Sequence, residues 1–300
     1  MTEKRALRVF RAAGPFALLV CLALAAALCL TACAGSDSSA STANTTGSAT
    51  STADTAATSP STEPSSKTLV IGYEDYPPSC YLDEDGDPVG IDMDIATEAL
   101  RRMGYTPVFK EIDWLDKDKL LSSGEIDCIW CSFSMDGRED AYTWAGPYMY
   151  SDEVVIVPTA SPIETLDDLT GKIVGVAATS EPERLLLDRP DASIPDVATV
   201  CSLEDTGLLY SSLLKGYVDA IATHRLAAEQ YIADYGVDAR ILDEPLIHVA
   251  VGVAFARDTD SPVPARLNKM LMRMKKDGTI AKIAERYIQD ARDYLEESHA

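Results

Sequence analysis

SGEIDCIWCSFSMDGREDAYTWAGPY, residues 123–148, is the part of the chain from which the architecture can be worked out. Gly124 stops the preceding helix, because a left-handed terminal residue carries no steric penalty in glycine. Residues 126–133 are apolar and compact, as a strand buried on both faces of a parallel sheet must be. Two hydroxyls, Ser132 and Ser134, stand at the far end, followed by one cation, Arg138. Side chains two apart on a strand share a face, so the hydroxyls are expected to converge beside the guanidinium. The planar fork of an arginine fits a carboxylate. The stretch is therefore read as a holder for the anionic end of a small solute.

The pattern returns further along. Gly216-Tyr-Val-Asp-Ala-Ile221 mirrors Gly124-Glu-Ile-Asp-Cys-Ile129, and eight residues past each glycine stand Ser132 and His224. Two lobes are implied, each built on one helix–strand unit that delivers a polar residue at its strand end. Between and around these units strands are expected at 68–72, 106–111, 154–157, 172–177, 218–222, 239–242 and 248–255. Helices are expected at 90–104, 115–123, 202–215, 224–235, 265–276 and 279–294, with another starting after Ser180. Glu74, Asp75 and Tyr76 follow the first strand directly, where open α/β folds bind ligands. Asp92 and Asp94 lie in a first helical turn and are read as dipole caps ahead of ligands. Thr179 or Ser180 caps the helix that begins with Pro182 in its first turn. The amides there are either an anion site or simply a good cap.

Of 300 residues 46% are hydrophobic, and the net charge is −22. Lys4, Arg5, Arg8 and Arg11 against Glu3 give residues 1–32 a charge of +3, so residues 33–300 carry −25. Such a surface excludes nucleic acid as a partner, since phosphate binding needs basic patches. The basic residues precede an apolar run at 15–30, short for a membrane span and suited to a signal peptide. It ends in Leu30-Thr31-Ala32-Cys33, which resembles the lipobox of bacterial lipoproteins. That resemblance implies a signal peptide at 1–32 and a lipid on Cys33. Residues 34–66 are nearly all Ser, Thr, Ala, Gly and Pro. They are read as a disordered tether, and as a flexible coil they span roughly 30 Å. The remaining cysteines, Cys80, Cys128, Cys131 and Cys201, allow two disulfides in three connectivities or four buried thiols, and their spacing does not choose. Cys128 and Cys131 lack the second pair of ligands a zinc site needs. The acidic turn at 83–87 lacks the spacing of a calcium loop. No metal or cofactor is expected.

Several segments also match a family in its own order: Leu69-Val-Ile-Gly72 with Tyr76-Pro-Pro78, Gly90-Ile-Asp-Met-Asp-Ile-Ala96, Gly124-Glu-Ile-Asp127, and Arg138 followed by Trp144 and Pro147-Tyr148. Leu169-Thr-Gly171, Val174-Gly175-Val176 and Gly278-Thr-Ile280 with Ile283 and Tyr287 continue the series. Residues 68–290 thus resemble the bacterial extracellular solute-binding proteins of family 3, the polar amino-acid receptors of ABC importers. The resemblance implies a two-lobed, type II periplasmic-binding-protein-like α/β fold joined by crossover hinge strands. Lobe 1 is expected at 67–152 plus 248–300 and lobe 2 at 153–247, with hinges near 152–154 and 247–250.

The resemblance also implies roles. Arg138 matches the arginine that pairs with a ligand α-carboxylate. Ser132 and Ser134 match polar positions before it, given a turn one residue longer than usual. Tyr76 and Trp114 match aromatics that sandwich the ligand side chain, Glu74 an acid that contacts some side chains, and Thr179 and Ser180 a carboxylate-contacting loop. His224 departs from the pattern, since the family usually has an Asp there for the ligand ammonium. Either Glu74, Asp75 or Glu181 serves the ammonium, or the ligand lacks one. Alternatively the ligand carries a second anion shared by His224 and Arg138, or His224 is a surface helix cap. The implied protein is a monomeric, lipid-anchored binding protein on the extracytoplasmic face of the membrane, handing a small solute to an ABC permease. Two other readings stand beside it: a dehydratase-like enzyme using Glu74 and His224 as an acid–base pair, and a surface sensor without a transporter.

Overall fold

The computed structural model describes residues 67–190 and 192–297. The signal peptide, Cys33 and the tether, expected within 1–66, lie outside the described residues. In chain order the elements are β1 (Lys67–Tyr73), β2 (Tyr81–Leu82), β3 (Pro88–Val89), α1 (Ile91–Met103), β4 (Tyr105–Glu111), α2 (Lys117–Ser123), β5 (Cys128–Ile129) and β6 (Thr143–Pro158). Then follow β7 (Ile173–Ala177), α3 (Glu181–Asp188), β8 (Thr199–Leu203), α4 (Thr206–Leu214), β9 (Ala220–His224), α5 (Arg225–Tyr235), β10 (Ala239–Ile241), β11 (Ile247–Phe255), α6 (Val263–Lys276) and α7 (Thr279–Ala284).

Two parallel half-sheets share one hydrogen-bonded ladder, ordered β4-β1-β5-β11-β6-β9-β7-β8, with β10 on β6. In the first half β1 lies parallel to β4 and β5; in the second β7 lies parallel to β8 and β9. The 16-residue β6 joins them. Up to Glu153 it pairs antiparallel with β11, and from Glu153 onward with β9 and then β10. The fold is the two-lobed α/β architecture of periplasmic binding proteins.

The periodicity explains the core. Residues 154–157 are apolar without alternation because the second half-sheet is covered on both faces. Val155 and Val157 join Val174, Val176, Leu185 and Ala220 on one side. Val154 and Ile156 join Leu209, Leu213, Val218 and Ile221 on the other. In the first half Ile71, Trp130, Tyr148 and Val253 pack beneath Leu267 and Leu271 of α6 and Ile280 of α7.

The internal repeat is a structural one. Gly124 and Gly216, at φ 75° and 69°, close α2 and α4 in the left-handed region. Ile126 and Val218 then plug into the core. Asp127 accepts from Val70 N–H through Oδ2 (2.7 Å) and donates its own N–H to Val70 O (2.8 Å). Asp219 does the same with Ile173, at 2.8 and 2.8 Å. Each Asp therefore clips the start of its own strand to a parallel neighbour, at Val70 inside β1 and at Ile173, the first residue of β7.

Several expectations are corrected. The strand expected over 126–133 is only Cys128–Ile129, because the buried Asp92 carboxylate accepts Ser132 N–H at 2.6 Å while Ser132 turns to φ 40°. Asp92 and Asp94 lie in the first turn of α1 as expected, and Asp92 is in addition a bracket for that loop. Asp94 is engaged by Arg286 at 2.8 Å. The helix expected from 202 starts at Thr206, since Asp205 Oδ1 accepts Leu208 N–H (2.9 Å) and residues 199–203 pair with β7. The last helix stops at Ala284 instead of 294; Asp290, at φ 52°, lies outside helical geometry. Cys80, Cys128, Cys131 and Cys201 are all free thiols, the first three buried.

Candidate functional site

The carboxyl-terminal ends of β1, β5, β7 and β9 converge on one cleft between the half-sheets, as the topology of open α/β sheets requires. The cavity enclosed between its walls is small, about 70 Å³. All nine residues chosen from sequence line it: Glu74, Tyr76, Trp114, Ser132, Ser134 and Arg138 from the first half, Thr179, Ser180 and His224 from the second.

Their arrangement differs from a simple strand end. Ser132 and Ser134 do not share a strand face. The Ser132 hydroxyl shares a 2.6 Å hydrogen bond with Ser79 Oγ. The following loop is stitched to β11 by Met135 N–H to Ala250 O (2.8 Å) and Gly252 N–H to Phe133 O (3.1 Å). That stitching carries Arg138 over the Phe133 ring, 5.2 Å from its centre. The guanidinium donates to Ser134 O (3.3 Å) and, across the cleft, to Thr179 O (3.1 Å). It also meets the Glu181 carboxylate at 3.2 Å.

On the second wall, Ser180 accepts Glu183 N–H (3.3 Å) and caps α3, as read from sequence. Thr179, at φ 61°, turns the chain into the helix, and Glu183 Oε2 accepts its N–H (2.6 Å). Further bridges cross the cleft. Lys117 Nζ donates to Thr179 Oγ1 (2.9 Å), and Tyr76 OH shares a 3.3 Å hydrogen bond with Thr223 Oγ1. His224 occupies the N-cap position of α5 but makes no capping bond. It is buried, with its ring edge-on to Tyr76 at 6.5 Å.

The cleft is acidic: Arg138 lines it and Lys117 reaches into it, against Glu74, Glu153, Glu181 and Glu204. Burial pushes the Glu74 carboxyl up to about 7, with Lys117 opposing and Asp75 and Asp113 reinforcing the shift. Burial, helped by Glu181, pushes Glu153 up to about 8. Burial pulls His224 down to about 4, so its ring is neutral at physiological pH. A neutral imidazole and partly protonated acids are acceptors and donors for a polar ligand, and the acids ionise more readily when a cation arrives.

Sequence reasoning missed Glu153 and Lys117. Glu153 sits beside Asp152 at the start of an apolar run and reads as an exposed flank. Only its pairing with β9 reveals that it faces the cleft. Lys117 falls in a helical first turn among charged residues, where burial has no sequence signal. Glu181, one of the acids the sequence offers for a ligand ammonium, is held by two arginines, Arg138 and Arg184.

Comparison with known proteins agrees with this geometry. The family model of the bacterial extracellular solute-binding proteins, family 3, matches residues 69–290. The L-cystine-binding protein TcyJ of Escherichia coli (strain K12) is 29% identical over 224 residues, covering 73% of this chain and 82% of that protein. The lysine/arginine/ornithine-binding periplasmic protein of the same organism is 30% identical over 231 residues, covering 74% and 87%. Among solved structures, a substrate-binding protein of an ABC uptake transporter from Streptococcus pneumoniae with bound histidine superposes with a TM-score of 0.68. It is 26% identical, and the match covers 75% of this chain and 94% of that one. From the ordered motifs, the two-lobed sheet and the match over residues 69–290, this chain belongs to the bacterial extracellular solute-binding proteins, family 3.

Proposed function

We propose that this chain is the extracytoplasmic substrate-binding lipoprotein of an ABC importer. It is anchored on the outer face of the cell membrane through a lipid on Cys33 and acts as a monomer. It captures a small carboxylate-bearing solute, an amino acid, and passes it to a membrane permease without chemical turnover. Lobe 1 is residues 67–152 with 248–300 and lobe 2 is 153–247, hinged near 152–154 and 247–250. A ligand that touches both walls favours the closed arrangement by its extra contacts there.

The observation that carries this reading is Arg138. Its guanidinium lies among the cleft's lining residues, where it donates to the Ser134 and Thr179 carbonyls, and charge-assisted bonds in a shielded cleft are the strong ones. Glu74, Tyr76, Trp114, Ser132, Ser134, Thr179, Ser180 and His224 complete the site. The names of the relatives support amino acids as the class. A panel of L-amino acids screened by melting shift tests it, with mass spectrometry of the recovered solute. One or more amino acids should stabilise the protein and be recovered intact. No shift across the panel, or conversion of the solute, rejects the reading. Loss of detergent-phase partition in Cys33→Ala tests the anchor.

A further inference from the structure

His224 is 4% exposed, and neither of its ring nitrogens has a hydrogen-bond partner. Leaving a buried polar group unpaired costs free energy, so an imidazole with two orphaned nitrogens facing a cleft points to an absent partner. Directly across the antiparallel ladder, its Cα partner on β6 is Glu153. Opposed residues of such a pair project from the same face of the sheet, and both side chains line the cleft. Glu153 is 5% exposed.

The remaining acids are placed otherwise. Glu181 is held by Arg138 and Arg184. Glu204 is exposed at the rim. Asp75 does not line this cleft, and Glu74 belongs to the opposite wall, near Lys117. We propose that Glu153 and His224 form the ammonium pocket for an amino-acid ligand, Glu153 supplying the negative charge and His224 a neutral acceptor. The assignment rests on the amino-acid-binding reading above. An ammonium has three N–H donors. Glu153 and His224 offer acceptors to them from directly paired strand positions. The carboxylate that the family usually carries at the His224 position is, in this chain, one strand over.

The test begins with the wild-type protein and a panel of the twenty common L-amino acids, L-ornithine and L-cystine, read by melting shift and then by calorimetric Kd. For each binder the matched α-hydroxy acid, which lacks the ammonium, is titrated alongside. Glu153→Gln is isosteric with the protonated acid and removes the charge that Glu153 gains when an ammonium binds beside it; its melting temperature without solute is read first. It should bind the amino acid roughly 10- to 100-fold more weakly while the α-hydroxy acid changes little. Glu153→Gln/His224→Asp, which returns a carboxylate to the facing strand, should recover binding to within about tenfold of wild type. Wild-type binding with Glu153→Gln undiminished overturns the assignment alone. So does equal loss for the amino acid and its α-hydroxy analogue, or a double variant no better than the single one. A wild-type protein that responds to no amino acid overturns the proposed function, and this pocket with it.

Discussion

Arg138 and Glu181 meet across the cleft at 3.2 Å, the arginine from the loop after β5 and the carboxylate from the first turn of α3. The Glu181 side chain is 1% exposed and also carries Arg184. The residue best suited to hold a ligand carboxylate thus already holds one from the protein itself. On the proposed reading, ligand binding at Arg138 would exchange or share partners, with consequences for both residues.

Arg138→Ala should abolish the melting shift that amino acids induce. It should also cost the unliganded protein about 1–3 kcal/mol, because a buried carboxylate loses one of its two cations. Urea unfolding with and without solute reads both effects. Retention of the ligand shift would remove Arg138 from the site.

Glu181→Gln should act in the opposite sense on binding. Withdrawing the internal carboxylate frees guanidinium donors and removes a repelling charge. Affinity for an amino acid should then rise by roughly 3- to 10-fold. Calorimetry decides; weaker binding would mean that Glu181 supports the ligand instead of competing with it.

The pH dependence of stability should carry the signature of Glu153. Its ordinary value is 4.5, and burial with Glu181, Asp136 and Asp152 nearby raises it to about 8, Arg138 opposing. Between those values the folded chain holds a proton that the unfolded chain has released, so this group's contribution falls as pH rises through the window. Glu153→Gln should therefore gain stability over the wild type little at about pH 5, increasingly toward about pH 8, and no further above it. Denaturation midpoints across that range check the trend. A constant difference would show that Glu153 does not titrate there.

Much of the cleft was legible because strand ends in α/β sheets place polar residues where ligands bind. Glycine stops and apolar runs locate those ends even when boundaries are off by a few residues. What escaped depends on pairing between distant segments. Asp92 fits the rule for acids in a first helical turn, yet its carboxylate is taken by Ser132, 40 residues away. Glu153 has no local pattern that tells cleft from surface. The expected face shared by Ser132 and Ser134 failed for the same reason, since the bond from Asp92 bends the strand before it reaches them.

The thiols offer an independent check on the core. Burial pushes Cys80, Cys128 and Cys131 above the usual thiol range, leaving little reactive thiolate. In the folded protein a thiol reagent should react first at half-buried Cys201. In denaturant without reductant, Cys80, Cys128, Cys131 and Cys201 should all titrate. Two or fewer would mean that disulfides have formed.

The clips made by Asp127 and Asp219 lie five residues upstream of Ser132 and His224, at the ends of their strands remote from the cleft. Strand side chains alternate, so a slip of one residue at either clip would turn everything beyond it to the opposite face. On the proposed reading, the solute accepted would depend partly on two carboxylates at the far ends of these strands. Selectivity can drift through errors of alignment as readily as through changes of the lining itself.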